Sequence, residues 1–177
     1  MISLFEDYQG NIWIGTSGGG LNVWDKEKKS FQKLADSKGV LGTIIYTIVE
    51  TSDNNVLLVG GSKGLAKVNL LNRTIERVTY KKDEQDIYNM NAVLSVYEDP
   101  KQNLWIGTEG DGLYYYVSRT KSSVKYGLTN RLPNEVVYGI LPDDLNYLWL
   151  STNNGLSRLD LTSFQFKNFD ISDGLLG

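Results

Sequence analysis

The sequence predicts an all-β fold made of four tandem repeats, each with four short strands. Gly-Leu pairs begin at residues 20, 64, 112 and 155, so the repeats follow one another at steps of 44, 48 and 43 residues. Glycine is frequent with 18 residues and proline is rare with 3, while tyrosine and tryptophan number 11 and 4. This composition is typical of tight turns between short strands. No segment shows the 3.6-residue apolar periodicity of an amphipathic helix.

The strands follow the same order in every repeat. The first strand is apolar and ends in an acid, as in Val93–Glu98, and the second is apolar on both faces, as in 104–106. A glycine-rich corner then leads into the third strand. We predict third strands at Leu21–Asp25, Leu65–Asn69, Leu113–Val117 and Leu156–Asp160. The fourth strand is polar and exposed, for example over Phe31–Leu34 or Phe164–Lys167.

A period near 45 residues with four strands in each unit is the pattern of a β-propeller. We therefore predict a single β-propeller segment over residues 1–177 with about four four-stranded blades. The predicted blades span residues 1–40, 41–88, 89–131 and 132–177. We expect them to belong to a larger propeller of about seven blades, or to be completed by self-association.

The second repeat is the most diverged. Without a gap, Leu57 takes the place that Trp13 and Trp105 hold in the first and third repeats. A shift of one residue places Leu58 there instead, and the sequence leaves both alignments open.

Composition excludes several classes of function. The chain has 18 Lys and Arg against 21 Asp and Glu, no His and no Cys. Disulfides, thiol chemistry, histidine bases and most zinc sites are therefore excluded. The basic residues form no stripe that would bind nucleic acid, and no apolar run is long enough to span a membrane. We predict no catalytic set, no cofactor and no metal site.

The repeated aromatic and acidic residues favour structural roles. Trp13, Trp105 and Trp149 recur at one position among Ile and Leu, which indicates core packing rather than sugar stacking. Acids recur beside the turn after each first strand, as at Asp7 and Asp143. That position favours turn capping by accepted backbone N–H bonds over catalysis or calcium binding.

Binding residues are expected on the loops at one end of the sheets, where corners between second and third strands meet the loops between blades. That end carries amide, charged and aromatic groups, a combination suited to saccharide recognition. We predict ligand contacts from Tyr88, Asn89, Asn91, Glu109, Asp111, Arg131, Asn134 and Asn153.

The core Asn-Leu-Trp-Ile-Gly-Thr, preceded by Glu-Asp and followed by Gly-Leu, resembles the two-component regulator propeller repeat. Glu6–Leu21 and Glu98–Leu113 are the best matches. The second and fourth repeats match with substitutions, such as Leu57 for Trp and Ser151 for Gly. The resemblance covers essentially the whole chain.

The resemblance implies a periplasmic sensor region of a hybrid two-component histidine kinase. Such sensors usually combine two propellers, a β-sandwich, a membrane span, a kinase core and a DNA-binding regulator. Their ligands are typically saccharides released from a polysaccharide, and their output is expression of genes for its use. We therefore expect this chain to be a fragment of a longer, inner-membrane-anchored sensor and not an enzyme itself.

Two other functions stay open. One is a structural or protein-docking propeller segment without its own ligand, and the other is a propeller lyase or glycosidase. The expected partners are an oligosaccharide and, through open blade edges, a second copy that completes an eight-blade ring. We expect neither nucleic acid nor direct membrane insertion.

Overall fold

The computed structural model of this protein describes residues 2–35, 37–82, 85–87 and 90–175. Two compact units divide the chain at Met1–Val93 and Leu94–Gly177. No helix in the described part of the chain is long and apolar enough to cross a membrane.

The first unit is built from short strands and one helical turn. Its strands are β1 Ser3–Glu6, β2 Ile12–Gly15, β3 Leu21–Asp25, β4 Ser30–Lys33, β5 Ile45–Glu50, β6 Val56–Gly61, β7 Gly64–Asn69, β8 Ile75–Arg77, β9 Tyr80–Lys82 and β10 Gln85–Ile87. Helix α1 spans Ser37–Leu41. Strands β1–β4 form sheet I, β5–β8 form sheet II, and β9 pairs with β10 in an antiparallel hairpin.

The second unit repeats the four-stranded pattern twice. Its strands are β11 Val93–Glu98, which begins at the boundary, β12 Leu104–Thr108, β13 Leu113–Val117, β14 Ser122–Tyr126, β15 Val137–Pro142, β16 Tyr147–Thr152, β17 Gly155–Asp160 and β18 Phe166–Phe169. Strands β11–β14 form sheet III and β15–β18 form sheet IV. Turns of 3-10 helix lie at Leu128–Asn130 and Ile171–Asp173.

Four four-stranded antiparallel sheets confirm the predicted all-β fold class. The third strands lie where the sequence predicts them, within one residue. The last fourth strand was predicted two residues too early, because Phe164 has a positive φ of 55° and belongs to the turn before Phe166–Phe169. Helix α1 and the β9–β10 hairpin were missed, since both lie in segments interpreted as loops.

The core of the first unit lies between sheets I and II. Trp13, Leu21 and Val23 project from sheet I and are at most 1% exposed. They pack with Leu57 and Val59 of sheet II in one apolar cluster. Helix α1 closes this cluster with Val40 and Leu41.

The core of the second unit repeats this arrangement between sheets III and IV. Trp105 and Leu113 of sheet III pack with Leu148, Leu150 and Leu159 of sheet IV. The predicted core role is therefore confirmed for Trp13 and Trp105. Trp149 is half-buried in the described part of the chain, and its ring stacks on that of Phe169 with centroids 5.5 Å apart.

Two glycine positions explain why the repeats keep the same motif. Gly112, which begins one Gly-Leu pair, has a φ of +77°, a conformation that side chains other than glycine rarely adopt. Gly107 is instead required by a close approach, because a Cβ there would lie 2.8 Å from the carbonyl oxygen of Val137 in the next sheet. The equivalent residue in the fourth repeat is Ser151.

The first turn of sheet I is organised by one buried carboxylate. Asp7 accepts hydrogen bonds from the backbone N–H groups of Gln9 at 3.0 Å and Asn11 at 2.9 Å. It also accepts one from the indole Nε1 of Trp13 at 2.8 Å. The carboxylate thus joins the hairpin turn to the largest side chain of the core.

The same bond recurs in sheet IV. Asp143 accepts from the N–H groups of Leu145 and Tyr147 at 2.9 and 3.0 Å and from the indole of Trp149 at 2.8 Å. Burial raises the pKa of the Asp143 carboxyl, but these donors together outweigh it and hold the pKa below its ordinary value of 3.8. Turn capping by the acids is therefore confirmed.

The structure decides the alignment of the second repeat. Leu58 pairs with Lys67, just as Trp13 pairs with Val23 and Trp149 with Arg158, so Leu58 takes the Trp place. The preceding turn is one residue longer, and the corner before β7 is one residue shorter. An insertion and a deletion therefore cancel within this repeat, which makes the gap-free alignment on Leu57 wrong.

We predict that Asp7 and Trp13 stabilise the fold as a unit. Asp7→Asn and Trp13→Phe should each lower the free energy of unfolding by roughly 1.5–3 kcal/mol, because each removes the hydrogen bond between a carboxylate and the buried indole. The double variant should lose less than the sum. Urea unfolding followed by tryptophan fluorescence measures all three values. Asp53→Asn is the control, since that exposed carboxylate caps only the diverged turn at Asn55; full additivity would refute the coupling.

A second prediction concerns the stability of the protein at low pH. The folded-state pKa of Asp143 is lowered, so its ionised form stabilises the protein above pH 3.8 and this contribution is lost as the pH falls below that value. Asp143→Asn should therefore be less stable than the wild type at pH 6, with the difference shrinking towards pH 2.5. Asp144→Asn, which changes net charge equally at an exposed neighbour, is the control. A difference that stays constant with pH would contradict the prediction.

Candidate functional site

The corner loops of both units are held by one carbonyl from the following segment. In the first unit, the oxygen of Thr43 accepts from the N–H groups of Gly18 and Gly20 at 2.8 and 3.0 Å. In the second unit, the oxygen of Glu135 accepts from those of Gly110 and Gly112 at 3.0 and 2.8 Å. The same pair of backbone hydrogen bonds therefore holds a corner loop in each unit. These loops lie at the end of the sheets where the sequence predicts ligand binding.

The structure brings three of the predicted residues together at the corner of sheet III. Glu109 pairs with Val136 through an isolated β-bridge. Asp111 forms an ion pair with Lys125 at 3.2 Å, and Asn134 accepts from the N–H of Val136 at 2.8 Å. These side chains surround the segment that carries the Glu135 carbonyl.

Three further predicted residues lie apart from this group. Arg131 adopts a φ of 71° at the end of a 3-10 turn, and its carbonyl accepts from the Nδ2 atom of Asn168 at 3.0 Å. Asn153 lies at the corner of sheet IV, where its Oδ1 atom accepts from the Tyr138 hydroxyl at 2.9 Å. Asn91 is exposed in the first unit. Tyr88 and Asn89 lie outside the described residues.

A cavity of about 630 Å³ opens beside Asn153 at the corner of sheet IV. Its lining combines polar side chains with three apolar ones, Leu156, Ile171 and Leu175. The lining residues are Ser151, Thr152, Asn153, Asn154, Gly155, Leu156, Asp170, Ile171 and Leu175. Sequence reasoning placed Asn153 here and missed Asp170, Ile171 and Leu175.

The polar groups of this cavity are fixed in place. The Thr152 hydroxyl donates to the carbonyl of Gly155 at 3.0 Å and accepts from the N–H of Asn154 at 3.1 Å. Hydrogen bonds from the Ser172 hydroxyl and N–H to Asp170 lower the pKa of that carboxyl. The carboxylate is therefore ionised at neutral pH and keeps lone pairs for further donors.

The third repeat contains a turn with the same backbone conformation as the turn at Asp170 beside this cavity. The segments 127–132 and 170–175 each form a 3-10 turn followed by a left-handed residue, Arg131 or Gly174, and a leucine. In the third repeat that leucine, Leu132, is 1% exposed. Residues 134–136 then lie against the corner of sheet III, where Glu135 and Val136 contact it through backbone hydrogen bonds and a β-bridge.

Two smaller cavities lie at the opposite end, near the first hairpins. One of about 400 Å³ is lined by Gln9, Asn11, Asp25, Lys26, Glu27 and Arg73. The N–H of Lys28, followed by the charges of Lys28 and Arg73, holds the pKa of Asp25 below its ordinary value despite burial. The other, of about 270 Å³, includes Trp105 and Phe164 in its walls. In the larger of the two, the polar groups are committed to turns and ion pairs.

The Tyr115 hydroxyl belongs to the turn between the first and second strands of sheet III. It accepts from the Nδ2 atom of Asn103 at 3.0 Å and donates to Asp99 at 3.3 Å, while its ring lies 4.5 Å from that of Trp105. Burial, followed by the charge of Asp99, raises the pKa of Tyr115. Tyr115 is therefore half-buried and part of the turn.

Comparisons with known proteins agree with this architecture. The chain is 29% identical over 170 residues to a histidine kinase P4 of Formosa agariphila, covering 93% of this chain and 12% of that protein. It is similar to the extracellular domain of a hybrid two component system of B. thetaiotaomicron, with a TM-score of 0.76 and 26% identity over 94% of this chain and 21% of that one. A second such domain gives a TM-score of 0.77 at 22% identity, covering 95% of this chain and 24% of that one, and shows the fold alone.

The chain thus spans about an eighth of the curated relative, since it covers 12% of that protein, and 21% to 24% of the two solved domains. The sequence pattern of the two component regulator propeller matches residues 1–18, 88–110 and 131–154, which include the first, third and fourth Trp segments or the strands that lead into them. Over these three segments the chain is therefore similar to two component regulator propeller repeats.

Proposed function

We propose that this chain forms part of a periplasmic ligand-sensing region in a hybrid two-component sensor histidine kinase, and that its ligand is a saccharide whose polysaccharide the regulated genes help to use. The similarity to extracellular domains of such systems supports the sensor role. The cavity at the corner of sheet IV is the observation that carries the choice of ligand. Kinase chemistry would reside elsewhere in the longer protein.

The chemistry of the cavity suits a saccharide. Sugar hydroxyls both donate and accept hydrogen bonds, and side-chain amides such as those of Asn153 and Asn154 do the same. The faces of a sugar ring that carry C–H groups are apolar, and Leu156 and Ile171 supply apolar walls. A volume of about 630 Å³ is in the range of small-ligand sites.

Rigidity favours binding at this corner. Asn153 is oriented by Tyr138, and the neighbouring turn is closed by the Thr152 hydroxyl. Because these groups are already ordered, a ligand would lose less free energy to fixing them. The cavity also lies on a loop end, where side chains can vary without loss of the sheets beneath.

A protein-docking role is the second candidate, and one observation favours it. At the corner of sheet III, residues 134–136 lie against the corner loop, where the Glu135 carbonyl accepts from the N–H groups of Gly110 and Gly112. A peptide segment of a partner protein could therefore bind a corner loop through the same kind of backbone hydrogen bonds. This candidate needs no small ligand.

We predict that saccharide binding depends on Asn153. Calorimetry of the chain against tetrasaccharides of β-1,4-glucan, β-1,4-xylan and galacturonan should give heat with at least one of them. Asn153→Ala should weaken that binding roughly tenfold, since it removes hydrogen bonds that together contribute about 1.4 kcal/mol.

Gln165→Ala is the matched control, because it removes an exposed amide outside the cavity and should leave the affinity unchanged. Absence of heat with all three tetrasaccharides, confirmed by an unchanged melting temperature, would argue against a saccharide ligand and favour protein docking.

A further inference from the structure

Each unit has a cleft between its two sheets, at the end that carries the first hairpins. In the first unit the cleft is the cavity of about 400 Å³, lined by turns of sheet I and by Arg73, which follows the third strand of sheet II. In the second unit it is the cavity of about 270 Å³, here called the aromatic cleft because Trp105, Tyr115 and Phe164 line it. The chain itself supplies both walls of each cleft, and the two clefts occupy equivalent places in the repeat.

The turn before each fourth strand decides how the two clefts differ. One residue of this turn has a left-handed backbone in every repeat, and it is Lys29, Arg73, Lys121 or Phe164. Arg73 spans the first cleft, because its guanidinium donates to Asp25 at 3.3 Å and to Gln32 at 3.2 Å in sheet I. Phe164 can form no such bonds, and Val117 stands in sheet III where Asp25 stands in sheet I. The aromatic cleft is therefore not spanned by an ion pair of this kind.

The aromatic cleft also borders an indole N–H that lacks the acceptor used in sheets I and IV. In those two sheets the second-strand indole donates to the turn carboxylate at 2.8 Å. The matching carboxylate of sheet III is Asp99, and its Oδ2 atom accepts instead from the Tyr115 hydroxyl at 3.3 Å and the Asn103 amide at 3.4 Å. Within the described ranges of the chain, the Trp105 indole N–H is bonded to no acceptor.

The position of this N–H gives a ligand something to satisfy. Trp105 is 2% exposed, and a donor at that depth without an acceptor costs free energy. Because Trp105 forms part of the wall, an oxygen atom of a molecule in the cleft can accept from it. Such an oxygen would take the part that a turn carboxylate takes in sheets I and IV.

The other polar groups of the wall favour a neutral ligand with hydroxyl groups. Lys101 and Asp99 place one positive and one negative charge in the lining, so a charged ligand would be attracted by one and repelled by the other. The Asn146 amide is oriented by donating to the Thr162 hydroxyl at 3.0 Å, and its oxygen can accept from a ligand. A hydroxyl group, which donates and accepts, suits this mixture.

Phe164 supplies the apolar surface of the cleft. Its side chain is 43% exposed, and its φ of 55° is uncommon for an aromatic residue. The ring lies within 7° of parallel to that of Tyr126, with centroids 6.3 Å apart, so it is already ordered. The face of a pyranose ring that carries C–H groups is apolar and can pack on it. A volume near 270 Å³ suits one sugar ring, since sites for larger ligands begin at about 300 Å³.

We propose that the aromatic cleft between sheets III and IV binds a single neutral pyranose unit. A hydroxyl oxygen of the sugar accepts from the Trp105 indole, and the apolar face of the sugar packs on Phe164. The first cleft does not bind this unit, because Arg73 spans it. The aromatic cleft is distinct from the cavity beside Asn153, and it would bind a pyranose whether or not that cavity takes a saccharide.

Nuclear magnetic resonance of the nitrogen-15-labelled chain tests this proposal through the indole N–H signals of its 4 tryptophans. Methyl β-glycosides of glucose, galactose and xylose are each added to about 20 mM, since a few hydrogen bonds give dissociation constants near 1 mM or roughly so. At least one glycoside should shift the Trp105 signal saturably, and Trp105→Phe identifies that signal. The signals of Trp13 and Trp149 should stay in place, because their protons are already bonded.

Two phenylalanine substitutions separate the cleft from the rest of the surface. Phe164→Lys introduces the residue type that Lys29 and Lys121 provide at this place, so the turn is kept, and loss of the ring should weaken binding about tenfold or more. Phe31→Lys is the matched control, because Phe31 is 69% exposed in sheet I and lies outside the cleft. Circular dichroism verifies that both variants keep their β-sheet signal.

The outcome is independent of the corner cavity. Asn153→Ala should leave the shift of the Trp105 signal unchanged, even if it abolishes the binding of tetrasaccharides. A Trp105 signal that moves with none of the three glycosides would overturn the proposal. An equal shift in Phe164→Lys, or loss of the shift in Asn153→Ala, would also overturn it, since the sugar would then be bound elsewhere.

Discussion

In sheets I and IV, the hydrogen bond between a turn carboxylate and the indole of the second-strand tryptophan is the constraint on which the hairpin and its packing depend. A buried indole N–H without an acceptor would be costly, and Asp7 satisfies that of Trp13 while also closing the turn with two backbone N–H groups. The tryptophan can then be placed where two sheets meet. In these two repeats one turn acid therefore connects the local geometry of a hairpin to the placement of a tryptophan.

In the second repeat the turn aspartate and the second-strand tryptophan are replaced together. Thr51 stands where the other repeats have aspartate, and Leu58 stands where they have tryptophan. Leucine has no N–H to satisfy, so the carboxylate is not needed, and the Thr51 hydroxyl donates to carbonyls of its own turn. Leu57 and Leu58 are both fully buried, so this sheet keeps an apolar core without the ring.

Much of the fold could be predicted because its causes are local. The Gly-Leu corners, the turn acids and the apolar second strands together predict four sheets of four strands. The one-residue shift in the second repeat could not be predicted, because Leu57 and Leu58 are identical residues and the insertion before them is compensated by a deletion after them. The site was harder still: Asp170–Leu175 repeats the turn of Gly127–Leu132 with only the final leucine in common. The two segments have similar rather than identical side chains, such as Ile171 for Leu128 and Ser172 for Thr129, and the choice of Asn153 rested on loop position alone.

The corner of sheet IV departs from that of sheet III at one residue of the second strand. The cavity beside Asn153 and an apolar hollow of about 390 Å³ beside Trp149 share Ser151 and Leu156 in their linings. In sheet III the residue at the place of Ser151 is Gly107, where a Cβ would lie 2.8 Å from the carbonyl oxygen of Val137. Serine therefore gives the lining of this cavity a hydroxyl group that the glycine of the third repeat cannot supply.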